Sequence, residues 1–327
     1  MLARHAESLF WTGRYLERAE DTARMLDVTY HGLLGSATTA DEEARAWLDL
    51  LSTLALEPDF IASGRQPTAE DACDFLVLDA ANAGAIVSVV RSARENARSV
   101  RELIPTELWE AVNTFYLELA ERDLRRDIAE QPYQLYGLVE RRCQTVAGVA
   151  AETMPRDDGW RFLALGRMLE RAEMTCRLLN VRLRELNDAD ELDRFQLLVG
   201  VLRSASAIEA FRKEHGADLD IAGVVEFLLL SRTFPRSVLH GLSTAEHDLA
   251  FLGEPDQLDR AQRIVGRMRA ELEFAEIAEL SNDQLATMLE AIQSGVRNAC
   301  DAVATRYFRN LIVEITAIDF RPVAWVS

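Results

Sequence analysis

The chain repeats part of itself. Sixteen residues from Gly13 to Val28, GRYLERAEDTARMLDV, return 153 positions later from Gly166 to Val181 as GRMLERAEMTCRLLNV, with eleven identities. A second match lies at an offset of 152, where Phe75, Leu76, Val77 and Leu78 align with Phe227, Leu228, Leu229 and Leu230, followed by Ile86 with Val238. Two matches at nearly one offset imply duplication of a whole unit, because a chance motif has no reason to keep the spacing of its surroundings. The breakers between Met154 and Gly159 mark the boundary. The expected organisation is a first helical repeat over residues 1–153, a second over 154–309, and a C-terminal tail over 310–327.

Apolar spacing is helical almost throughout. From Gly13 to Val28, the residues Tyr15, Leu16, Ala19, Ala23 and Leu26 fall on one side of a 3.6-residue helix. Glycines, prolines and polar clusters divide the chain into roughly twelve helices. Ser281 and Gln284 have the spacing of a capping box, and Pro105, Pro132 and Pro255 suit first-turn positions. Only the stretch from Asn310 to Val326, rich in Ile, Val and Thr, is open between a short strand and an irregular arm. The fold class is therefore all-α: a duplicated irregular helical bundle, its two similar halves packed about a pseudo-twofold axis.

Charge narrows the function. Lys and Arg number 36 against 54 Asp and Glu, a net charge of −18. That balance argues against nucleic acid and against an anionic membrane surface as partners. All the cations but Lys213 are arginines. The opening residues carry no basic stretch leading into an apolar run, and no apolar stretch nears the ~20 residues of a membrane span, so a cytoplasmic location is expected. Cys73, Cys143, Cys176 and Cys300 are far apart and form no CxxC, which reads as buried thiols rather than a zinc site. No P-loop, GxGxxG, GxSxG or HExxH is present.

The repeat carries its own polar pattern. Gly13, Glu17, Glu20 and Arg24 share one helical stripe, and Gly166, Glu170, Glu173 and Arg177 repeat it. Arg14, Arg18 and Asp21 form a neighbouring stripe, in which Arg167 and Arg171 recur. The glycine leaves room for something to approach closely. An exposed i,i+4 pair contributes only about 0.3–0.5 kcal/mol, too little to account for a whole repeated pattern. Two readings stand side by side: an ion-pair seam where the repeat helices meet, and a polar cleft whose arginines clamp a phosphate or carboxylate. The four glutamates could also hold a magnesium-like ion through oxygen alone, and His240 with His247 is a weak metal signal. Arg91, Arg94, Arg98 and Arg101 form a second line of arginines, readable as an anion site or as a solvated face paired with Glu95 and Glu102.

Residues Trp11 to Glu20 resemble the bacterial alpha-E family, an all-helical domain named for a recurring Glu-Arg motif. Arg94 to Arg98, Trp109, Glu110, Asn113, Glu152 to Met154, Gly159 to Phe162 and Gly166 to Leu179 extend the resemblance over most of the chain. It implies genomic company: a circularly permuted ATP-grasp ligase, adjacent or fused, and often a transglutaminase-like peptidase. ATP-grasp enzymes activate a carboxylate as an acyl phosphate and pass it to an amine. The resemblance thus implies an accessory subunit in peptide or amide-bond formation, with ATP and Mg on the partner ligase and no cofactor in this chain. The motif residues carried over are Arg14, Glu17, Arg18, Glu20 and Arg24, then Arg167, Glu170, Arg171, Glu173 and Arg177, with Arg94, Asn96 and Arg98 added. The arginines and Asn96 would bind an anionic substrate, acyl phosphate or peptide. Glu17, Glu20, Glu170 and Glu173 are the catalytic candidates if the chain is instead an enzyme using a buried Glu as general base. A metal-binding or structural regulator is the third reading.

Overall fold

The computed structural model describes residues 1–34, 39–188, 191–216, 218–254 and 258–309. The first half runs through α1 (Ala3–Leu34), α2 (Ala40–Thr53), α3 (Glu57–Ala62), α4 (Ala69–Val77), α5 (Ile86–Ser99), α6 (Thr106–Glu121), α7 (Leu124–Glu130) and α8 (Pro132–Thr153). The second runs through α9 (Asp158–Asp188), α10 (Glu191–Ser204), α11 (Ile208–His215), α12 (Ile221–Leu230), α13 (Val238–Leu252), α14 (Arg260–Glu273) and α15 (Asn282–Val303). The fold is all-helical, with no β-strand among the described residues. It holds more helices there than the twelve or so expected, because α3, α7 and α11 span only 6, 7 and 8 residues. Helices of two turns show too little of a 3.6-residue period to be told from loops. No helix among the described residues is long and apolar enough to cross a membrane. The tail from Asn310 to Val326 and Pro255 lie outside the described residues.

Local chemistry starts these helices where expected. Ser281 and Gln284 close a capping box at α15, as do Thr39 with Glu42 at α2 and Asp259 with Gln262 at α14. Pro132 occupies the first turn of α8, whereas Pro105 stands one residue earlier, as the N-cap of α6. The order of elements also recurs. α10 begins 151 residues after α2, and α12 and α13 each begin 152 residues after α4 and α5. Two left-handed residues that are not glycine, Ala55 (φ 57°) and Ser206 (φ 50°), sit at matching places after α2 and α10.

The two halves meet through their long first helices. α1 and α9 form the most extensive interface, α5 and α8 flank α1, and α13 and α15 flank α9, so one core runs through both halves. The crossing explains the two glycines. A Cβ on Gly13 would land on the carbonyl oxygen of Leu163, and one on Gly166 on the carbonyl oxygen of Phe10. Leu163 follows Phe10 by the same 153 residues, so each helix meets the other at the equivalent point. What approaches the glycine is therefore a partner backbone. This contact draws α1 into the centre of the molecule. Leu16, Ala19, Ala23 and Leu26 are buried, but so are Arg14, Glu17, Glu20, Asp21 and Arg24. α1 is thus not a surface helix with one apolar side, and its charges must find partners within the protein.

Candidate functional site

The charges pair across the crossing, and the pairs are reciprocal. Arg14 Nε donates to Glu170 Oε2 at 2.5 Å, and Arg167 Nε to Glu17 Oε2 at 2.9 Å. Arg18 Nε donates to Glu170 Oε1 at 2.7 Å, and Arg171 Nε to Glu17 Oε1 at 2.6 Å. Within each helix, Arg24 reaches Glu20 and Arg177 reaches Glu173, both at 2.5 Å. Every one of these pairs maps onto its twin under the shift of 153. The carboxylates are deeply buried, Glu17 at 1% and Glu170 at 2% exposure. The ion-pair reading of the stripes thus describes the geometry.

The surroundings then break the equivalence. Around Glu17, Arg236 enters from the loop before α13 and donates to Glu17 at 3.0 Å, Asp21 at 2.8 Å and Glu20 at 2.6 Å. Arg24 also donates to Asp21 at 2.9 Å, and Gln144 of α8 reaches Glu20 at 3.4 Å. Burial alone would raise the Glu17 carboxyl, but Arg171, Arg236 and Arg167 hold it well below the usual carboxylate range. Asp21 behaves oppositely. Burial and repulsion from Glu17 outweigh Arg236 and Arg24 and push it up to about 7. At the other end, Arg14 extends to Glu173 at 3.0 Å and to Cys300 Sγ at 3.1 Å. Burial opposes ionisation of Glu170, yet Arg18 and Arg14 bring it down to about 2.

A cavity of about 480 Å3 opens on the Glu17 end, between α1, α8, α9 and α13. Glu17, Glu20, Arg167 and Arg171 form its polar floor, and Leu163, Ala164, Met168, Val146 and Ala150 give it apolar walls. Arg156, stacked over Trp160 at 3.7 Å, also lines it, as do Arg161, His240, His247 and Asp248. The counterpart of Ala164 under the shift of 153 is Trp11. Trp11 stacks on Tyr15, with the Arg14 guanidinium 5.5 Å from its ring centre. A bulky ring thus fills one end of the seam where a methyl group leaves space at the other.

Most of the expected anion-binding arginines are already engaged. Arg14 uses all three nitrogens, on Glu170, Cys300 and Glu173, and Arg171 uses its own on Glu17 and the Pro235 carbonyl. Arg24 spends its Nη atoms on Asp21 and Glu20. Arg177 is held by Glu173, and Arg18 grips Glu170 with two nitrogens. Arg167 differs. Its side chain is 30% exposed, it lines the cavity, and only its Nε is engaged, so its two Nη groups have no hydrogen-bond partner among the described residues. Arg94 and Arg98 are not brought to the seam. Arg94 pairs with Glu95 at 2.6 Å and Asn113 at 2.8 Å and lies over Trp109 and Tyr116, while Arg98 pairs with Glu95. Asn96 sits half-buried on the same helix. This second arginine line is a face of α5 bound to α6, the solvated and paired alternative. Among the described residues, no group of three or more His, Cys, Asp or Glu side chains is arranged to hold a metal ion.

Sequence reasoning missed Arg236 as a seam residue and Arg161 with Asp248 as a cavity pair. Arg236 follows Pro235 in a loop, where no periodicity can assign it a face. His240 and His247 were visible as a pair seven apart, but the wall they share was not.

Fold and site together define an all-helical domain whose two central helices are joined by a buried Glu–Arg seam. The chain belongs to the Alpha-E family, described as a predicted alpha-helical domain with a conserved ER motif, which matches residues 1–308. It is similar to an uncharacterized protein of Mycobacterium bovis, 26% identical over 324 residues, covering 90% of this chain and 36% of that protein. Two uncharacterized proteins of Mycobacterium tuberculosis match over the same length at 26% and 25% identity. The chain therefore spans little more than a third of the length of these relatives. No solved structure matches it.

Proposed function

We propose that this chain is a helical accessory domain of an ATP-grasp type amide-ligase system, and that it holds a carboxylate-bearing substrate in the cavity above Arg167. The observation that carries the reading is the Arg167 side chain, which lines the cavity and is fixed through Nε by buried Glu17 while its Nη groups have no hydrogen-bond partner among the described residues. Such a fork matches a carboxylate or acyl phosphate with two parallel hydrogen bonds. The role is to bind and orient. ATP and Mg belong to the partner ligase, and a transglutaminase-like peptidase is a second expected partner. In the mycobacterial relatives this domain is part of a longer chain, an arrangement suited to work beside another domain. Reliance on ATP places that work in the cytoplasm. A general-base role for Glu17 or Glu170 fits less well, because both are held as weakly basic carboxylates by arginines.

The test is co-purification with the neighbouring ATP-grasp protein, then ATP consumption and product formation by the pair and by each alone. Two variants sharpen it. Arg167→Gln leaves Glu17 with Arg171 and Arg236, and Ala164→Trp fills the cavity as Trp11 fills the other end. Both should stay folded and lower ligation at least tenfold. A complex with unchanged turnover in both variants puts the substrate elsewhere. No complex and no effect on turnover removes the ligase reading.

A further inference from the structure

The walls of the cavity narrow what kind of molecule can bring a carboxylate to Arg167. Ala147 and Ala150 of α8 and Ala164 of α9 line it. At the other end of the seam the equivalent positions hold Arg297 and Cys300, at the 150-residue offset between α8 and α15, and Trp11, at the offset of 153. A methyl group in place of a guanidinium, a thiol or an indole leaves room and adds no polar atom. The space at the Glu17 end is therefore walled by carbon, and Val146, Leu163 and Met168 complete that wall.

The polar side chains around the cavity are largely engaged with one another. Glu17 and Glu20 are buried and bound by Arg171 and Arg236. Asp248 holds Arg161, and Thr244 donates its hydroxyl proton to the His240 carbonyl. Arg156 lies over the Trp160 ring and donates to the carbonyls of Met154 and Ala151. His247 is exposed to solvent. Arg167 keeps two nitrogens with no partner among the described residues. A ligand polar along its whole length, such as a sugar, would bury its groups against carbon with nothing to bond, which is a net loss. A ligand with one anionic end and a hydrocarbon body suffers no such loss. Trp160 and Arg167, seven residues apart, lie on one side of α9 and about 10.5 Å apart along its axis. At about 1.52 Å and about 111° per bond, an extended carbon chain advances roughly 1.25 Å per bond, so about eight carbons cover that interval. The volume of about 480 Å3 lies within the usual range of ligand pockets.

Building on the reading of this cavity as a carboxylate site, we infer that its ligand is an aliphatic carboxylic acid, a fatty acid of about eight to ten carbons. Its carboxylate sits on Arg167, and its chain lies along the apolar wall toward Trp160, over the three alanines.

Calorimetry on the full chain tests this with butanoate, hexanoate, octanoate, decanoate and dodecanoate, and with octanamide. Affinity should rise about fourfold with each added methylene group, as roughly 0.8 kcal/mol per buried CH2 requires, and level off beyond decanoate. Octanamide should bind at least about tenfold more weakly than octanoate, because it offers Arg167 no charge. Ala164→Trp puts an indole in the path of the chain and should bring octanoate down to the level of butanoate. If affinity does not change with chain length while octanoate still beats octanamide, the hydrocarbon body is wrong and the carboxylate site stands. If affinity rises with length but octanamide equals octanoate, the carboxylate reading falls and the fatty acid with it. If no acid of the series binds at millimolar concentration, both are wrong. Octanoate bound as tightly by Ala164→Trp as by the parent would put the chain outside the cavity and overturn the inference. The ligand series on the unaltered chain decides the matter even if that variant fails to fold.

Discussion

At one end of the seam Glu17 faces Arg167, Arg171 and Arg236, and at the other Glu170 pairs, among the described residues, with Arg14 and Arg18 alone. The two ends use the same repeated residues with the same atom-to-atom pairing. They differ in what neighbouring helices bring. Asp21 of the first end corresponds to Met174, and Arg236 corresponds to Gly84 at the offset of 152. Across the seam, α15 follows α8 by 150 residues and sets Arg297 and Cys300 where α8 has Ala147 and Ala150. The Glu170 end is thus packed with Trp11, Cys300 and the Arg14 guanidinium. The Glu17 end carries more buried charge and opens onto a cavity. A motif alone therefore sets how two helices cross, and the residues around it set whether the crossing can bind anything.

The glycine contact should give the largest effect and tests the equivalence itself. Gly13→Ala and Gly166→Ala each force a methyl group onto the opposite backbone, and each should destabilise by about 3 kcal/mol or more, above the gain in helix propensity. Urea midpoints should fall by similar amounts, and a large inequality would break the reciprocal description of the crossing.

Removing one carboxylate at a time should then separate the ends. Glu17→Gln leaves Arg171 and Arg236 deeply buried without a full counter-charge, a loss of about 3–5 kcal/mol. Glu170→Gln should cost at least about 1 kcal/mol less, because Arg18 is 28% exposed and water can solvate it. Equal losses would mean that Arg236 adds nothing to the first end.

The smallest effect is a pH slope confined to the Glu17 end. Asp21 titrates at about 7 in the folded protein against an ordinary value of 3.8. Its folded form binds the proton more tightly, so its contribution is full below about pH 4 and is lost as pH rises toward 7. Asp21→Asn should remove that slope and leave the variant more stable than the parent at pH 8 by about 1 kcal/mol or more. The difference between the two stability–pH curves reads Asp21 alone, since Asp49, also raised to about 7, is common to both. A difference that stays flat from pH 4 to 8 would show that Arg236 and Arg24 fully compensate Asp21.

Much of the fold was legible because it rests on short-range rules. The helical period, the capping box at Ser281, and the repeat with its two glycines are written in neighbouring residues. The site was legible in part. The spacing of Glu17, Glu20 and Arg24 placed them on one stripe, and the motif resemblance named Arg167 among thirteen residues without distinguishing it from the rest. The same spacing also proposed Arg94, which α6 holds elsewhere through Asn113 and Trp109, and Arg98, which pairs with Glu95 on its own helix. Periodicity reports which side of its own helix a residue occupies and carries no information on what faces that side.

By itself, the sequence determined that this is an all-helical chain with a repeated Gly–Glu–Arg pattern on two long helices. Those properties follow from backbone propensities and from spacings within a turn or two. Only the tertiary structure decided that the two patterns neutralise each other, that Arg167 alone of the cavity-floor arginines keeps donors without a partner among the described residues, and that Arg161 and Asp248 share a wall. Those facts depend on contacts between residues up to about 220 positions apart, such as Arg236 with Glu17. Such contacts are set by how whole helices pack, which no local pattern specifies.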